Sequence, residues 1–420
     1  MKIKICSFFL LAFTMPLIAT AQTGISLGLG GYTAASRGIE ALYWNPANLT
    51  VVDSKAPRLE IKLLGLNLGV GNNAFSYNNV TKYIGEGEPI YLTEQDKSDI
   101  LDYIPDDGLG INLSAKLSAF SFRYRRFGIG IESHSYGSVT IPKDIYETVL
   151  SKLGQGNYDY SIDGEAFTTG KIKLSYGFPV LKDRYIPGLR KMLIEEISVG
   201  VSLAYLHGMG YYGVEKGVAM IDINENGILP AVDFMGKAAQ LGEGFGMDLG
   251  LAAHTHDGWS YGMVFENLIG TINWKYGTEV TTSQLSFGSE PMFIFGNNQL
   301  SDADMDTVSS DSTYDIDGFS TRLPVDWRMG LAKDFGKVML QFEYGKANHI
   351  GSLGFGSRLK LGFLVLSGSW KRTEGLNVWS TGFAFDFNYF YFDVGVSSRS
   401  GFSLAETKGL FIGTSLCVGM

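Results

Sequence analysis

Two cysteines in 420 residues leave almost nothing for thiol chemistry. Cys6 lies in the opening "MKIKICSFFLLAFTMPLIATAQ", whose basic start, apolar run and closing Ala19-Thr20-Ala21 form the pattern of an export signal cut before Gln22. Cys6 leaves with that signal and is not placed as a lipid-bearing cysteine would be, so Cys417 is stranded. The mature chain therefore has no internal disulfide and no structural thiolate metal site. Charge is scarce too, at 18% against a usual figure of about 25%. Basic residues are the scarcer sign: the formal charge of −9 becomes −11 once Lys2 and Lys4 are removed. An acidic exported chain makes a poor partner for nucleic acid. Past the signal no run of about 18 apolar residues occurs, which excludes a membrane-spanning helix. No nucleophile elbow, paired-carboxylate pocket or serine–histidine pairing stands out, so neither an enzyme nor a bound cofactor is expected.

What is abundant is glycine, 54 residues or nearly twice the common share of about 7%, together with 13% aromatics. Combined with export and alternating apolar positions, this composition belongs to a sheet protein, either an exported soluble β-protein or an outer-membrane barrel. The alternation separates the two. Across the turn in "SAFSFRYRRFGIGIE", hairpin pairing sets Tyr124 opposite Phe127, Phe122 opposite Ile129 and Phe120 opposite Ile131 on one face. Ser121, Arg123, Gly128, Gly130 and Glu132 take the other face. The same reading pairs Trp327 with Tyr344, Met329 with Phe342 and Leu331 with Leu340, which puts Arg328 opposite Glu343 as a lumenal ion pair. It pairs Phe383 with Val394 and Phe385 with Phe392 around Asn388-Tyr389, and Leu359 with Leu366. Leu249, Leu251 and Ala253 fall opposite Phe265, Met263 and Tyr261 around His256-Asp257-Gly258. Uniformly apolar faces backed by Gly, Ser, Ala and scattered charge fit a wall with lipid outside and a polar lumen inside. A soluble sandwich would show lysine-rich outward faces instead.

Extended along the chain, the pattern gives fourteen antiparallel strands between residues 58 and 418, an all-β transmembrane barrel. Tight turns follow even-numbered strands and long connections follow odd-numbered ones. Bacterial barrels keep their short turns in the periplasm, which places both termini there. Residues 92–105 and 142–152 read as short external helices, the first capped by Thr93, and 209–240 has room for another hairpin. Residues 179–195 break the run of short turns and read as a surface helix. The connection 276–320, containing "SDADMDTVSSDSTYDIDG", reads as mobile or ion-binding.

Ahead of the first strand stands "GGYTAASRGIEALYWNPANL", in which Asn45-Pro46 makes a turn flanked by aromatics. This stretch resembles the N-terminal signature of the FadL-type outer-membrane transport proteins and their PorV-like relatives in Bacteroidetes-type secretion systems. "MDLGLAAHTHDGWSYGMVFENLIGTINW" and "LPVDWRMGLAKDFGKVMLQFEYG" are similar to the repeated hairpins of that superfamily. The resemblance implies a signal at 1–21, a hatch folded into the lumen from 22–57, and a barrel over 58–420. It places the turn of Asn45, Pro46 and Ala47 near the hatch base, with Tyr43 and Trp44 anchoring the hatch to the inner wall. It further implies passive uptake of hydrophobic or amphipathic, fatty-acid-like small molecules. The alternatives are a PorV-like shuttle for secreted proteins and a surface structural protein. The expected surroundings are the bilayer and lipopolysaccharide in the cell outer membrane. The chain ends in Met420 rather than the terminal aromatic many barrels carry.

Other constellations point less far. "DINENGILPAVD" (222–233) has the acidic spacing of a calcium loop, but strand-like flanks and Pro230 favour an ordinary turn. His254 and His256 share one face without a third ligand, so no metal is expected. Gly244, Gly246 and Gly250 precede no helix, and their small size suits close approach of the hatch to the wall.

Overall fold

The computed structural model describes residues 24–51, 57–83, 92–150, 156–182, 193–224, 227–287, 293–294, 299–300, 307–347, 350–387 and 389–420. The export signal lies outside these residues, as does most of the surface helix expected at 179–195. The wall strands are β1 Leu59–Asn72, β2 Leu109–Tyr124, β3 Phe127–Ile141, β4 Asp163–Lys182, β5 Ile194–Asn224, β6 Leu241–Thr255 and β7 Trp259–Tyr276. They continue as β8 Asp326–Asp334, β9 Val338–Ala347, β10 Ile350–Leu361, β11 Leu364–Thr373, β12 Leu376–Asp386, β13 Phe390–Arg399 and β14 Gly409–Gly419. Each pairs antiparallel with the next, and β14 returns to β1 with Leu68 opposite Ile412, so the sheet closes on itself. Closure removes the free edges that a single sheet would expose, and in lipid it satisfies every ladder donor and acceptor.

Side chains sort by parity as the pattern requires. Large apolar residues point outward and stay exposed, among them Leu68, Leu117, Ile172, Leu174, Phe178, Leu203, Phe245, Leu340, Phe355 and Ile412. Their neighbours Ser114, Ser118, Ser175, Ser198, Ser202, Ser367 and Ser415 are buried inside. An apolar skin around a serine- and glycine-lined interior is stable only in a bilayer, so this is a barrel of the outer membrane. In a variant lacking Cys417, cysteines at 122 and 129 sit opposite each other on the lipid side. Both should react with membrane-soluble reagents, and labelling at 121 and 128 instead would invert the wall.

Three hairpin registers hold as read: Phe383 faces Val394, Leu251 faces Met263 and Leu359 faces Leu366. Two need correction. The β8–β9 ladder pairs Met329 with Tyr344 and Gly330 with Glu343, a slip of two residues that keeps every face but separates Arg328 from Glu343. In β2–β3 the rungs Tyr124/Phe127 and Phe122/Ile129 hold, but the ladder shifts between Ser118 and Phe122, so Phe120 does not face Ile131. Phe120 takes a left-handed φ of 50°, and Ser121 Oγ accepts the Ile131 N–H (3.0 Å), replacing the lost rung.

Strand β5 has 31 residues, far more than the roughly 9–11 that a tilted strand needs to cross a bilayer. Its outer half stands clear of the membrane and forms an external sheet. Gly227–Ala239 pairs with it and with Glu279–Phe287, which in turn pairs with Thr307–Asp315; Gly156–Ser161 lies on the other side of β5. The hairpin allowed for at 209–240 is therefore present, and the described part of the 222–233 stretch lies in its two strands rather than in a turn. Of the 276–320 connection expected to be mobile or ion-binding, Glu279–Phe287 and Thr307–Asp315 are strands that join this sheet, while 288–292, 295–298 and 301–306 lie outside the described residues. Helices Glu94–Tyr103 and Lys143–Leu150 pack beside this sheet, the first with a capping box between Thr93 and Asp96.

Candidate functional site: a segment seated in the lumen

Residues 24–51 lie inside the barrel as short turns: helices Gly24–Gly28 and Ala41–Trp44, and 3-10 turns Gly38–Glu40 and Pro46–Thr50. Such pieces are too short to be stable alone, so the wall must hold them. Glycine makes room. A Cβ on Gly200 would lie 2.1 Å from Ala47 N, on Gly250 2.2 Å from Asn45 Oδ1, on Gly262 2.5 Å from Thr33 O and on Gly356 2.3 Å from Leu29 O. Gly128 meets Leu42, Gly330 meets Ala34 and Gly395 meets Gly24, so contact runs around the whole circumference. Of the three glycines expected to serve this purpose, only Gly250 does. Gly244 backs onto Thr271 O and Gly246 onto Ala204.

Polar wall groups satisfy the backbone that these short turns leave open. Gln341 Nε2 donates to Leu29 O (3.0 Å) and Gly31 O (2.5 Å), Thr33 N–H donates to Glu343 Oε2 (2.9 Å), and Gly24 N–H donates to Asp393 Oδ1 (2.8 Å). Ser198 Oγ donates to Ala47 O (3.1 Å).

The aromatic turn is fully buried. Tyr43 donates to Ser121 Oγ (2.5 Å), the same hydroxyl that bridges the β2–β3 bulge, and Lys62 Nζ lies 4.1 Å from its ring centre. Lys62 is itself buried and paired with Glu40 (2.6 Å). The Trp44 ring has the Arg328 guanidinium over it at 5.0 Å, an aromatic anchor meeting a wall cation. Asn45 accepts from Ala47 N–H (3.1 Å), capping the turn that Pro46 opens, and its amide donates to Leu251 O (2.9 Å) and Thr33 O (3.3 Å).

Sequence reasoning missed the group beside that turn. His254 Nε2 lies 3.1 Å from Asn48 Oδ1, and Nδ1 lies 3.0 Å from Ser260 Oγ and 3.4 Å from Arg37 Nη2. Arg37 has only donors, so Nδ1 is the acceptor and Nε2 carries the proton. His254 is thus a bracket for the inner segment, while His256 belongs to the β6–β7 turn. The available signal was its inward parity, two positions before a tight turn. No metal-holding cluster of His, Cys, Asp and Glu exists among the described residues.

Above the segment runs a belt of charge. Arg328 does not pair with Glu343; it forks onto Glu266 of β7 at 2.5 and 3.4 Å. Lys173 pairs with Asp248 (2.9 Å) and lies 3.7 Å from Glu132, which Lys171 approaches at 3.9 Å. Lys116 and Lys371 have no carboxylate within 4 Å among the described residues. Towards the outside, inward aromatics follow. Tyr136 and Phe167 touch at 5.4 Å, Phe167 is paired with Tyr211, and Tyr211 lies 5.5 Å from Trp274 and 5.4 Å from Phe319. From the outside inward, the lumen presents aromatics, then charge, then the glycine-seated segment.

Comparison with known proteins fits this architecture. Residues 46–233 match DUF5723, a family of unknown function. No curated protein matches the chain in sequence. Among solved structures, the Ralstonia pickettii toluene transporter TbuX is similar with a TM-score of 0.51 at 10% identity, over 95% of this chain and 98% of that one. A Pseudomonas aeruginosa FadL homologue is similar with a TM-score of 0.50 at 10% identity, over 97% and 99%. At such identity the likeness is one of fold: the chain has the FadL-type barrel fold.

Proposed function

From a FadL-type fold with a three-tiered lumen, we propose that the chain lets hydrophobic or amphipathic small molecules, of the long-chain fatty-acid type, cross the outer membrane passively, with residues 22–57 as a movable hatch. The observation that carries this reading is the order of the tiers. Inward rings at the outer end offer an apolar solute, arriving from the lipopolysaccharide layer, a surface to leave water for. The ammonium groups of Lys116 and Lys371, without a carboxylate within 4 Å among the described residues, suit the head of an amphipathic acid. The hatch then blocks an aqueous leak, and its Tyr43, Trp44, Asn45, Pro46 and Ala47 form the gating turn. That the similar TbuX is a toluene transporter supports the same reading. No energy source is required, since the solute moves down its own gradient.

A second reading, a shuttle for secreted proteins, draws on one feature: the external sheet built on β5 is a platform that small-molecule diffusion does not need. Native mass spectrometry of the detergent-purified protein separates the two. A retained lipid-like adduct is the expected result, and a retained polypeptide with no small adduct would replace transport by the shuttle.

A further inference from the structure

The wall closes on itself, but the external sheet ends in an open edge. Thr307–Asp315 pairs with Glu279–Phe287 along one side in unbroken register, and no strand pairs with its other side among the described residues. The wall does not reach that side. The last rung between β8 and β9 is Trp327 with Lys346, and 307–315 lies beyond it, past the Phe319–Arg322 ladder on β7. An open edge is a row of N–H and C=O groups ready to template another strand, and proteins that keep an edge solvated shorten it, bulge it, or set proline or lysine along it. Nine residues without bulge, proline or lysine carry none of these devices. The opposite edge of the sheet, Gly156–Ser161, is only six residues long.

Charge along the edge selects what can join it. Asp315 stands directly opposite Glu279, two carboxylates in one lateral row, an arrangement that costs stability unless a cation lies alongside. Neither has a basic side chain within 4 Å among the described residues, since Lys237 is held by Glu215 and Lys275 lies 4.0 Å from Glu243. Asp311 is the middle residue of the strand, so antiparallel pairing of the edge with a second copy, centred there, would set aspartate against aspartate. That disfavours a second copy and favours a strand with lysine or arginine at alternate positions. We propose that Thr307–Asp315 is a docking edge for an extended basic segment of another polypeptide, which adds to the external sheet as a further antiparallel strand. Main-chain hydrogen bonds supply the hold, and the Asp315/Glu279 row selects the partner by its charge. The edge lies outside the lumen, so this inference stands independently of the transport reading.

The test is hydrogen exchange read by mass spectrometry on the full-length protein in detergent, with a synthetic peptide of alternating lysine and threonine that matches the nine-residue strand in length. One control peptide has the same side chains but a methyl group on every backbone nitrogen, so it keeps the charge and cannot donate to a ladder. The other has glutamate in place of lysine. The lysine peptide should slow exchange within 307–315, leave 156–161 unchanged, and bind at least about tenfold more tightly than either control, the loss expected from about two ladder bonds. The double variant Glu279→Lys with Asp315→Lys should weaken the lysine peptide at least about tenfold and strengthen the glutamate peptide, with heat-modifiable migration showing that the barrel is intact. Equal binding of the N-methylated peptide reduces the contact to charge attraction and overturns the docking edge, as does protection that appears only outside 307–315. A protein that sediments as a dimer, with 307–315 protected until the copies are separated, overturns it too and makes the occupant a second copy.

Discussion

Deletion of residues 24–50 should leave a folded, heat-modifiable barrel whose conductance rises sharply to that of an unplugged fourteen-stranded wall. The ladder bonds that close the barrel run between β1 and β14 and involve none of the deleted residues. What is lost is interior packing: Leu29, Leu42, Tyr43, Trp44 and Leu49 form one buried cluster, each side chain worth roughly 1.5–3 kcal/mol of burial. That loss does not unfold a sheet whose alternative is unpaired backbone in lipid. The wall groups left behind also tolerate water. Lys62, Arg123, Glu343 and Asp393 are ionisable, and removing the segment hydrates them rather than stranding them in a dry core. Because the segment meets β3, β5, β6, β7, β8, β10 and β13 in turn, its removal opens the whole cross-section. An unchanged conductance in single-channel recordings would remove the hatch assignment, and failure to insert would show that the segment is needed for assembly.

The wall was legible in the sequence because each strand reports its own two faces. Lipid and lumen impose opposite demands on alternate residues, so Phe383, Phe385 and Phe387 against Gly382 and Ala384 reveal orientation without any partner. Register is less legible, because a slip of two residues changes no face. That is why the hairpin pattern sets Arg328 against Glu343, whereas its partner is Glu266 on the other neighbouring strand. A strand in a barrel has two flanks, and the hairpin test sees only one. Bulges escape for a related reason: the Ser121 hydroxyl that stands in for a ladder bond at Ile131 looks like any other inward serine. The site suffered most. Tyr43, Trp44 and Asn45 could be singled out as a compact turn, but their partners Ser121, Arg328 and Leu251 lie 78 to 284 residues further along the chain. Contacts of that span follow from closure of the barrel and have no local trace.

Replacing Gly200 with Val should open the pore nearly as far as the deletion does, through a single side chain. The Cβ of any residue at 200 would stand 2.1 Å from both Ala47 N and Pro46 C. These are backbone atoms of a turn that Pro46 stiffens, so they cannot swing aside as a side-chain tip would. The turn is also pinned from other directions, by Asn45 to Leu251 O and by Ser198 to Ala47 O. Small shifts therefore cannot absorb the clash, and the base of the segment must leave its seat. The wall pays little, since valine favours strands and residue 200 keeps its ladder partners Gly177 and Gly250. Gly210→Val on the same strand is the control, because a Cβ there meets nothing within 4 Å. The expected pattern is high conductance with normal heat-modifiability for Gly200→Val, and wild-type conductance for Gly210→Val. Equal currents from the two variants would mean that the turn of Asn45, Pro46 and Ala47 yields without unseating the segment, and that the seal lies higher, where Gln341 and Glu343 hold residues 29–33.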